Sequence, residues 1–311
     1  MPRSIATLAG IVLVFLLLLG CGQREEPTQI SLEKRGPAGV DSAAEEREVL
    51  RVAIGGMITP KEGFAYYRQF LDYLGQQLDL RVQFIDREDY AEINQLIQEE
   101  KVDLAFVCGG PYVIGHDRFG MDLLVAPKAY GDTVYYSYLI VPQASSAQSF
   151  GDLRDKSFVF TDPLSNTGRL VPTYMLARLG EDPETFFREY HYSGSHDKSI
   201  RAVALGLADG AAVDSLIWEY LLLINPELTS RTRVLLKSTP YGIPPVVVRA
   251  NITPQLRERL RLVFEEAHLD PQGKPILDKM MIEQFVPTED RSYDSIREMI
   301  SWVESQAEPE R

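Results

Sequence analysis

The feature that most constrains this chain is a regular alternation of short apolar segments and amphipathic segments, which starts at Leu50. Apolar runs of about four to eight residues are typical of buried strands. Apolar residues spaced three and four apart are typical of helices with one buried face. A strand–helix–strand unit joins parallel strands through a right-handed crossover, so the alternation predicts an α/β fold with parallel strands.

The alternation occurs in two blocks. The first block predicts strands at 49–56, 81–86 and 102–110 and helices at 62–79 and 90–100. The second predicts strands at 156–162, 188–194 and 210–215 and helices at 166–179 and 196–209. Segment 123–141 resembles two strands joined at Gly131-Asp132, and segment 233–250 resembles two extended runs around a Pro/Gly turn. The last 60 residues contain three helical patterns and no strong strand.

About 260 residues follow position 48, more than one typical domain of about 100 to 200 residues. Two lobes are therefore expected. The final helices are predicted to pack back on the first block. Lobe 1 then consists of residues 49–136 and 238–311, and lobe 2, residues 137–237, is inserted into it.

The N-terminus has the pattern of an export signal. Arg3 precedes the apolar run Ile5–Leu19, which is shorter than the roughly 20 residues of a membrane-spanning helix. The run ends in Leu-Leu-Gly-Cys, which resembles the lipobox of bacterial lipoproteins, where the signal is cut before a lipid-bearing cysteine. We expect residues 1–20 to be a lipoprotein signal peptide, Cys21 to be lipidated and residues 21–48 to be a flexible tether. An ordinary signal peptide that contains a cysteine is the alternative.

The net charge argues against a nucleic-acid-binding protein, and the cysteine content bears on disulfide formation. The net charge is −13, and removal of residues 1–20, which contain one Arg and no acidic residue, changes it to −14. Such a surface repels nucleic acid. Cys21 and Cys108 are the two cysteines of the sequence, so lipidation of Cys21 leaves Cys108 as a lone thiol.

Small polar residues follow the strand at 156–162. Ser165, Asn166 and Thr167 stand before Gly168, where the chain enters the next helix. Unpaired N–H groups and the positive end of the dipole make helix N-termini suitable for anions. A plain helix cap would need one such residue, and here there are three. The stretch predicts an anion site, with capping as the alternative.

Three further constellations lie at predicted strand ends: His196 in "SGSHDKSI", Asp214 in "AAVDS", and Cys108 with Tyr112 in "AFVCGGPYVIG". Local alternatives are an exposed capping turn for His196 and an N-cap for Asp214, before a helix that begins at Leu216. In open α/β sheets, ligands bind at the carboxyl ends of the strands. The coincidence of all four constellations at such ends predicts a cleft between the lobes that gathers them.

Enzyme motifs are not found. The sequence contains no G-x-S-x-G, H-E-x-x-H or P-loop pattern, and its four histidines do not cluster at ligand spacings. We therefore expect a protein that is not an enzyme and that uses no cofactor or metal.

The constellations, in this order, resemble the periplasmic substrate-binding proteins of phosphonate, phosphite and phosphate ABC transporters (PhnD-type). The resemblance extends from Leu50 to Val286 and is carried by "VAIGG", "YAEINQLIQEEKVDLAFVCGGPYV", "DPLSNTGRLVP", "YSGSHDKSI" and "LADGAAVDS". It implies a type II periplasmic-binding-protein fold, in which two α/β lobes joined by a two-strand hinge close on a small ligand. It also implies a lipid-anchored, extracytoplasmic monomer that captures a small oxyanion for an ABC permease.

The resemblance also implies roles for individual residues. Tyr112 would hydrogen-bond the ligand from the first lobe, while the other contacts would come from Ser165, Asn166, Thr167, His196 and Asp214. Asp214 would suit a ligand that carries a proton or an amine.

Two positions depart from the family pattern. Asn166 stands where the family usually has Ser or Thr, and Cys108 stands where it usually has a small residue without a thiol. Cys108 resembles the pocket cysteine of relatives that sense arsenite for a membrane histidine kinase, and soft trivalent arsenic favours sulfur. Arsenite sensing is therefore the alternative function, while a buried packing role for Cys108 is the simpler reading.

Overall fold

A computed structural model describes residues 48–55, 60–87 and 89–307, which belong to one compact unit. The expected signal peptide, the lipidation site Cys21 and residues 21–47 of the expected tether lie outside the described residues. Within the described ranges, no helix has both the length and the apolar character that crossing a bilayer requires.

The described strands are β1 (Val49–Ile54), β2 (Arg81–Ile85), β3 (Leu104–Phe106), β4 (Asp122–Lys128), β5 (Val134–Tyr135), β6 (Ser137–Pro142), β7 (Ser157–Phe160), β8 (Glu189–Tyr192), β9 (Gly210–Asp214), β10 (Thr232–Lys237), β11 (Tyr241–Gly242), β12 (Val246–Val248) and β13 (Gln284–Val286). The described α-helices are α1 (Pro60–Leu78), α2 (Tyr90–Gln98), α3 (Gly109–Phe119), α4 (Val171–Ala177), α5 (Pro183–Phe186), α6 (His196–Ala204), α7 (Ser215–Ile224), α8 (Pro226–Thr229), α9 (Pro254–Glu266), α10 (Gly273–Lys279) and α11 (Asp294–Ala307). Short 3-10 turns cover Phe150–Leu153 and Asp290–Tyr293.

Two mixed sheets form the body of the protein. One has the strand order β13-β4-β12-β3-β1-β2 and the other β10-β6-β9-β7-β8. β1 is parallel to β2 and β3, and β7 is parallel to β8 and β9. β12 and β6, in contrast, run antiparallel to their neighbours. The parallel strands predicted for the two blocks are confirmed. The sheets are nevertheless mixed, because β6 and β12 follow direct chain crossings between the sheets rather than helical crossovers.

The two chain segments that connect the large sheets, the crossings, pair with each other. The chain leaves the first sheet after β4 and returns to it before β12. Between these points β5 and β11 form a two-stranded antiparallel sheet, with Tyr135 opposite Tyr241. We propose the division into lobe 1, residues 49–136 and 238–307 of the described chain, and lobe 2, residues 137–237, because strand membership of the two large sheets follows it.

Several predicted boundaries were wrong, for local reasons. The predicted helix 166–179 is a π-helical turn, Asn166–Leu170, followed by α4, with Pro172 in the first turn of α4, where its missing N–H is tolerated. The predicted strand 102–110 is limited to β3, because Cys108 is the N-cap of α3, which begins at Gly109 and not at Tyr112. The predicted helix 196–209 ends at Ala204. β13, which no pattern predicted, pairs with β4.

Lobe 1 has one apolar core of its own and lobe 2 has two, and the lobes share another. Aromatic contacts organise lobe 1, where the ring of Phe264 lies 5.2 Å from that of Phe70 and 4.8 Å from that of Phe285. The shared core contains Leu170 and Val171 of lobe 2 together with Tyr293 and Ile296 near the C-terminus. Helix α11 therefore packs against lobe 2 as well as lobe 1.

The lobes are in close contact beside α3. A Cβ atom on Gly110 would lie 2.2 Å from the carbonyl oxygen of Leu164 in lobe 2. Nearby, the backbone N–H of Tyr90 donates to the carboxylate of Asp162 across the same seam, at 3.3 Å. The structure is therefore a closed arrangement that depends on the absence of a side chain at position 110.

We predict that Gly110→Ala prevents full closure of the lobes. Alanine is the better helix former, by about 0.5–1 kcal/mol, so the variant is expected to keep its stability without ligand while its lobes stay apart. Small-angle X-ray scattering with and without phosphite measures this as a radius of gyration that no longer decreases with ligand.

Gly151→Ala is the matched control, because a Cβ atom there would make an ordinary 3.6 Å contact with the Ser149 hydroxyl. Compaction of Gly110→Ala to the same extent as Gly151→Ala would contradict the assignment of this contact to closure.

Candidate functional site

The site lies where strands β3, β7 and β9 end at the seam between the lobes. Ser165 is the N-cap of the π-helical turn, and its Oγ accepts a hydrogen bond from the Gly168 N–H at 3.0 Å. A Cβ atom on Gly168 would lie 2.3 Å from the Thr161 hydroxyl, so glycine is required for this tight turn. Capping, the alternative reading of this stretch, thus accounts for Ser165 but leaves Asn166 and Thr167 to be explained.

Asn166 and Thr167 are fully buried. The side-chain amide of Asn166 donates to the Tyr135 hydroxyl at 3.0 Å, while its Oδ1 has no partner. The Thr167 hydroxyl also has no partner, although the Thr167 carbonyl accepts from the Ser137 hydroxyl at 2.6 Å. The backbone of the turn is therefore fixed, and two polar side-chain atoms on it remain unpaired.

His196 is buried at the start of α6. Its Nδ1 accepts a hydrogen bond from the Asp214 backbone N–H at 3.0 Å. The ring proton of the neutral imidazole must therefore be on Nε2, which has no partner. Burial lowers the pKa of His196 to about 3. His196 is thus a neutral residue with one unused N–H donor.

Asp214 ends β9 and caps α7. Its Oδ1 accepts from the Leu216 N–H at 2.7 Å, and its Oδ2 is buried without a partner. Burial raises the pKa of Asp214 to about 7, although the backbone N–H groups of Leu216 and Ile217 act in the opposite direction. Capping therefore uses one carboxylate oxygen and leaves the other available.

Cys108 is also fully buried, with its Sγ 3.6 Å from the Tyr135 hydroxyl. Burial raises the pKa of the thiol, while hydrogen bonding from Tyr135 and from the backbone N–H of Asn166 counteracts the shift. Cys108 of lobe 1 thus contacts the π-helical turn of lobe 2 as a neutral thiol.

Tyr112 is not brought into this group. Its hydroxyl donates to the Asp290 carboxylate at 2.7 Å, and its ring packs on that of Tyr293 with 4.7 Å between centroids. Burial and the hydrogen bond to Asp290 raise the pKa of Tyr112 well above its usual value. In this closed arrangement the Tyr112 hydroxyl is therefore already engaged.

Two residues that the sequence analysis did not single out share the main feature of the site, a buried polar atom without a partner. The hydroxyls of Tyr90 and Ser195 are buried and have no partner. Burial raises the pKa of Tyr90, and electrostatic interactions with Cys108, Asp162 and Asp214 contribute in the same direction. Ser195 lies within "SGSHD" and Tyr90 begins the helix that follows β2. Their positions after strands were the available signal.

Six buried polar atoms at this seam therefore lack partners: Tyr90 Oη, Asn166 Oδ1, Thr167 Oγ1, Ser195 Oγ, His196 Nε2 and Asp214 Oδ2. A buried polar group without a hydrogen bond costs about 1–3 kcal/mol. Four of the six can donate a hydrogen bond in their neutral form, and Asp214 can donate one when it is protonated. The set is suited to a small, oxygen-rich ligand. In the described ranges, no three His, Cys, Asp or Glu side chains converge as a metal site.

The chain is similar to known proteins of one family. The family model described as ABC transporter, phosphonate, periplasmic substrate-binding protein matches residues 56–293. The probable ABC transporter phosphite binding protein PhnD1 of Prochlorococcus marinus (strain MIT 9301) is 24% identical, over 75% of this chain and 82% of the relative. The phosphonates-binding periplasmic protein of Escherichia coli (strain K12) is 25% identical, over 85% of this chain and 79% of the relative.

Solved structures give the same result. A binding protein component of an ABC phosphonate transporter from Pseudomonas aeruginosa has a TM-score of 0.79 at 25% identity, with 84% of this chain and 88% of that chain covered. PhnD1 from Prochlorococcus marinus, in complex with methylphosphonate, has a TM-score of 0.75 at 22% identity, with 83% and 98% covered.

These findings confirm the two-lobe type II fold and the resemblance found in the sequence. The family is a class of transport proteins rather than of enzymes; its members bind a small molecule outside the cytoplasm and work with an ABC permease. The chain belongs to the family of periplasmic substrate-binding proteins of phosphonate ABC transporters.

Proposed function

We propose that this protein captures a phosphonate, phosphite or similar phosphorus oxyanion at the lobe seam, as a lipid-anchored monomer, and delivers it to an ABC permease. The observation that carries the proposal is the set of buried polar atoms without partners, of which Thr167 Oγ1, His196 Nε2 and Asp214 Oδ2 have the chemistry of an oxyanion site. Two relatives are named for binding phosphite or phosphonates, and the structure of PhnD1 contains methylphosphonate, which supports the same ligand class.

The proposed binding mode uses neutral donors. Thr167 Oγ1 and His196 Nε2, which have no partner in the protein, donate to ligand oxygens. Ser165 contributes mainly through the turn that it caps. Each charge-assisted hydrogen bond contributes about 1.5–3 kcal/mol, so a few donors suffice for tight binding without a lysine or arginine.

Asp214 determines how many protons the ligand and its own carboxyl group share in the complex. A phosphonate dianion and an ionised Asp214 would repel each other in the closed seam, so one proton must be shared between them. With a pKa raised to about 7 by burial, Asp214 can hold that proton near neutral pH. The proposed complex is therefore a monoanion with ionised Asp214, or the equivalent dianion with protonated Asp214.

We predict that Thr167→Val weakens phosphite or methylphosphonate binding by about tenfold to a hundredfold, the equivalent of one charge-assisted hydrogen bond. Valine keeps the shape of the side chain and removes the donor. Isothermal titration calorimetry measures the dissociation constant. Thr229→Val is the control, because Thr229 is equally buried in lobe 2 but its hydroxyl is used within helix α8, by the Pro226 carbonyl. Equal affinities for wild type and Thr167→Val would remove Thr167 from the site.

We predict that affinity falls about tenfold per pH unit above a pH of about 7, because binding then requires the uptake of one proton. Below that pH, free Asp214 already carries the proton, so this dependence disappears. Asp214→Asn retains a hydrogen-bonding side chain but cannot titrate, and its affinity should not decline in the alkaline range. Titrations between pH 5 and about 9 test this, and an unchanged alkaline slope in Asp214→Asn would assign the proton to another group.

The proposed anchor is tested through the two cysteines of the sequence. Cells supplied with an alkyne-labelled fatty acid should label the wild-type protein and Cys108→Ser, but not Cys21→Ser, because the lipid is attached to Cys21. Label retained in Cys21→Ser would contradict the lipoprotein assignment. Stable anchoring requires more than one acyl chain, so the wild type should also sediment with membranes.

Arsenite sensing for a histidine kinase, the alternative, depends on Cys108. Burial raises the pKa of its thiol, and the ligand of a soft metal centre is the thiolate. The oxyanion importer is therefore the preferred function. Phosphite binding that survives in Cys108→Ser supports it, whereas arsenite binding that Cys108→Ser abolishes would favour sensing.

A further inference from the structure

The seam contains a second compartment beside the polar atoms, an apolar chamber of about 80 Å³. Lobe 1 and the crossings supply most of its wall, and helix α7 of lobe 2 closes it. Its lining residues include Tyr67, Val107, Leu216, Ile217, Tyr220 and Ile282. Because both lobes contribute, the apolar chamber exists in this form when the lobes are together.

The apolar chamber adjoins the proposed oxyanion site. Leu216 follows closely on Asp214 and holds its Oδ1 through the backbone, at 2.7 Å. Val107 immediately precedes Cys108 in the chain. Tyr67 packs its ring against Phe106 with 5.3 Å between centroids, and its pKa is raised to about 12 by burial and by the charge of Asp214. A ligand whose oxygens lie at Asp214 therefore has the apolar chamber beside it.

The lining of the apolar chamber favours an alkyl substituent over a charged one. Among the described residues that line the apolar chamber, none is charged, and the polar side-chain atoms are the hydroxyls of Tyr67, Tyr130 and Tyr220. Glu219 lies outside the lining and accepts a hydrogen bond from Tyr138 at 3.0 Å. An ammonium group in the chamber would contact no carboxylate of the lining, and Asp214 beside the chamber would be engaged by the ligand oxygens, so the group would carry a desolvation cost. An alkyl group would gain from burial.

We propose that the apolar chamber receives the carbon substituent of the ligand, so that the protein selects phosphonates with a short alkyl group over inorganic oxyanions and over aminoalkyl phosphonates. This inference rests on the proposed function and specifies its substrate class. The chamber is about half of the roughly 150 Å³ cavity that admits benzene, which limits the substituent to a few carbons.

A ligand series tests the inference on the wild-type protein. Phosphite, methylphosphonate, ethylphosphonate and propylphosphonate are titrated by calorimetry, and affinity should rise about fourfold for each methylene that enters the chamber. 2-Aminoethylphosphonate has the same number of heavy atoms as propylphosphonate and ends in an ammonium group. It should bind at least about tenfold more weakly. Equal or tighter binding of 2-aminoethylphosphonate, or a flat alkyl series, would overturn the inference.

A pair of variants locates the effect. Ile282→Trp adds bulk to the wall of the chamber, and Leu256→Trp is the matched control, because both residues pack half-buried on the same core cluster but Leu256 does not line the chamber. Ile282→Trp should lose the gain of propylphosphonate over phosphite, and Leu256→Trp should keep it. A gain retained in both variants would place the alkyl group elsewhere.

The failure of this inference is distinguishable from that of the proposed function. If no phosphorus oxyanion binds the wild-type protein, the proposed function is wrong. If phosphite binds and the alkyl series is flat, only the role of the apolar chamber is wrong. The wild-type series remains decisive even if Ile282→Trp does not fold.

Discussion

The hydrogen bond from the Asp214 backbone N–H to His196 Nδ1, at 3.0 Å, is the contact on which the site depends. It joins the end of β9 to the start of α6 and determines which ring nitrogen carries the proton. The donor Nε2–H is thereby left without a partner in the protein, while burial keeps the imidazole neutral. This backbone interaction, together with the contact of the Thr161 hydroxyl with Nδ1 at 3.1 Å, orients a donor with no net charge. The same residue, Asp214, presents an unpaired carboxyl oxygen, and burial raises the pKa of this carboxyl group to about 7.

Closure of the lobes strengthens the hydrogen bonds that these atoms can form. Hydrogen bonds are stronger, and unpaired polar atoms more costly, when water is excluded. The close approach of Gly110 to Leu164 and the packing of Cys108 against the π-helical turn bring the lobes together at the site. The unpaired polar atoms therefore destabilise the closed form when no ligand is bound.

Much of the architecture was predictable from the sequence because it is encoded locally. The βα alternation and the polar residues after strands are periodic or adjacent features. They singled out Asn166, Thr167, His196 and Asp214, each of which has a buried polar atom without a partner. Long-range contacts were not accessible in this way. Tyr112 bonds Asp290, which lies 178 positions further along the chain, and the antiparallel β6 and β12 follow from chain crossings. The unpaired Tyr90 hydroxyl depends on closure of the lobes, which no local pattern encodes.

A crystal structure of the protein with methylphosphonate is the most direct test of the central claim that the unpaired polar atoms of the seam form an oxyanion site. The account predicts ligand oxygens within about 2.6–3.2 Å of Thr167 Oγ1, His196 Nε2 and Asp214 Oδ2, with the methyl group facing Leu216. A ligand bound elsewhere, with these three atoms still unpaired or bonded to one another, would contradict it.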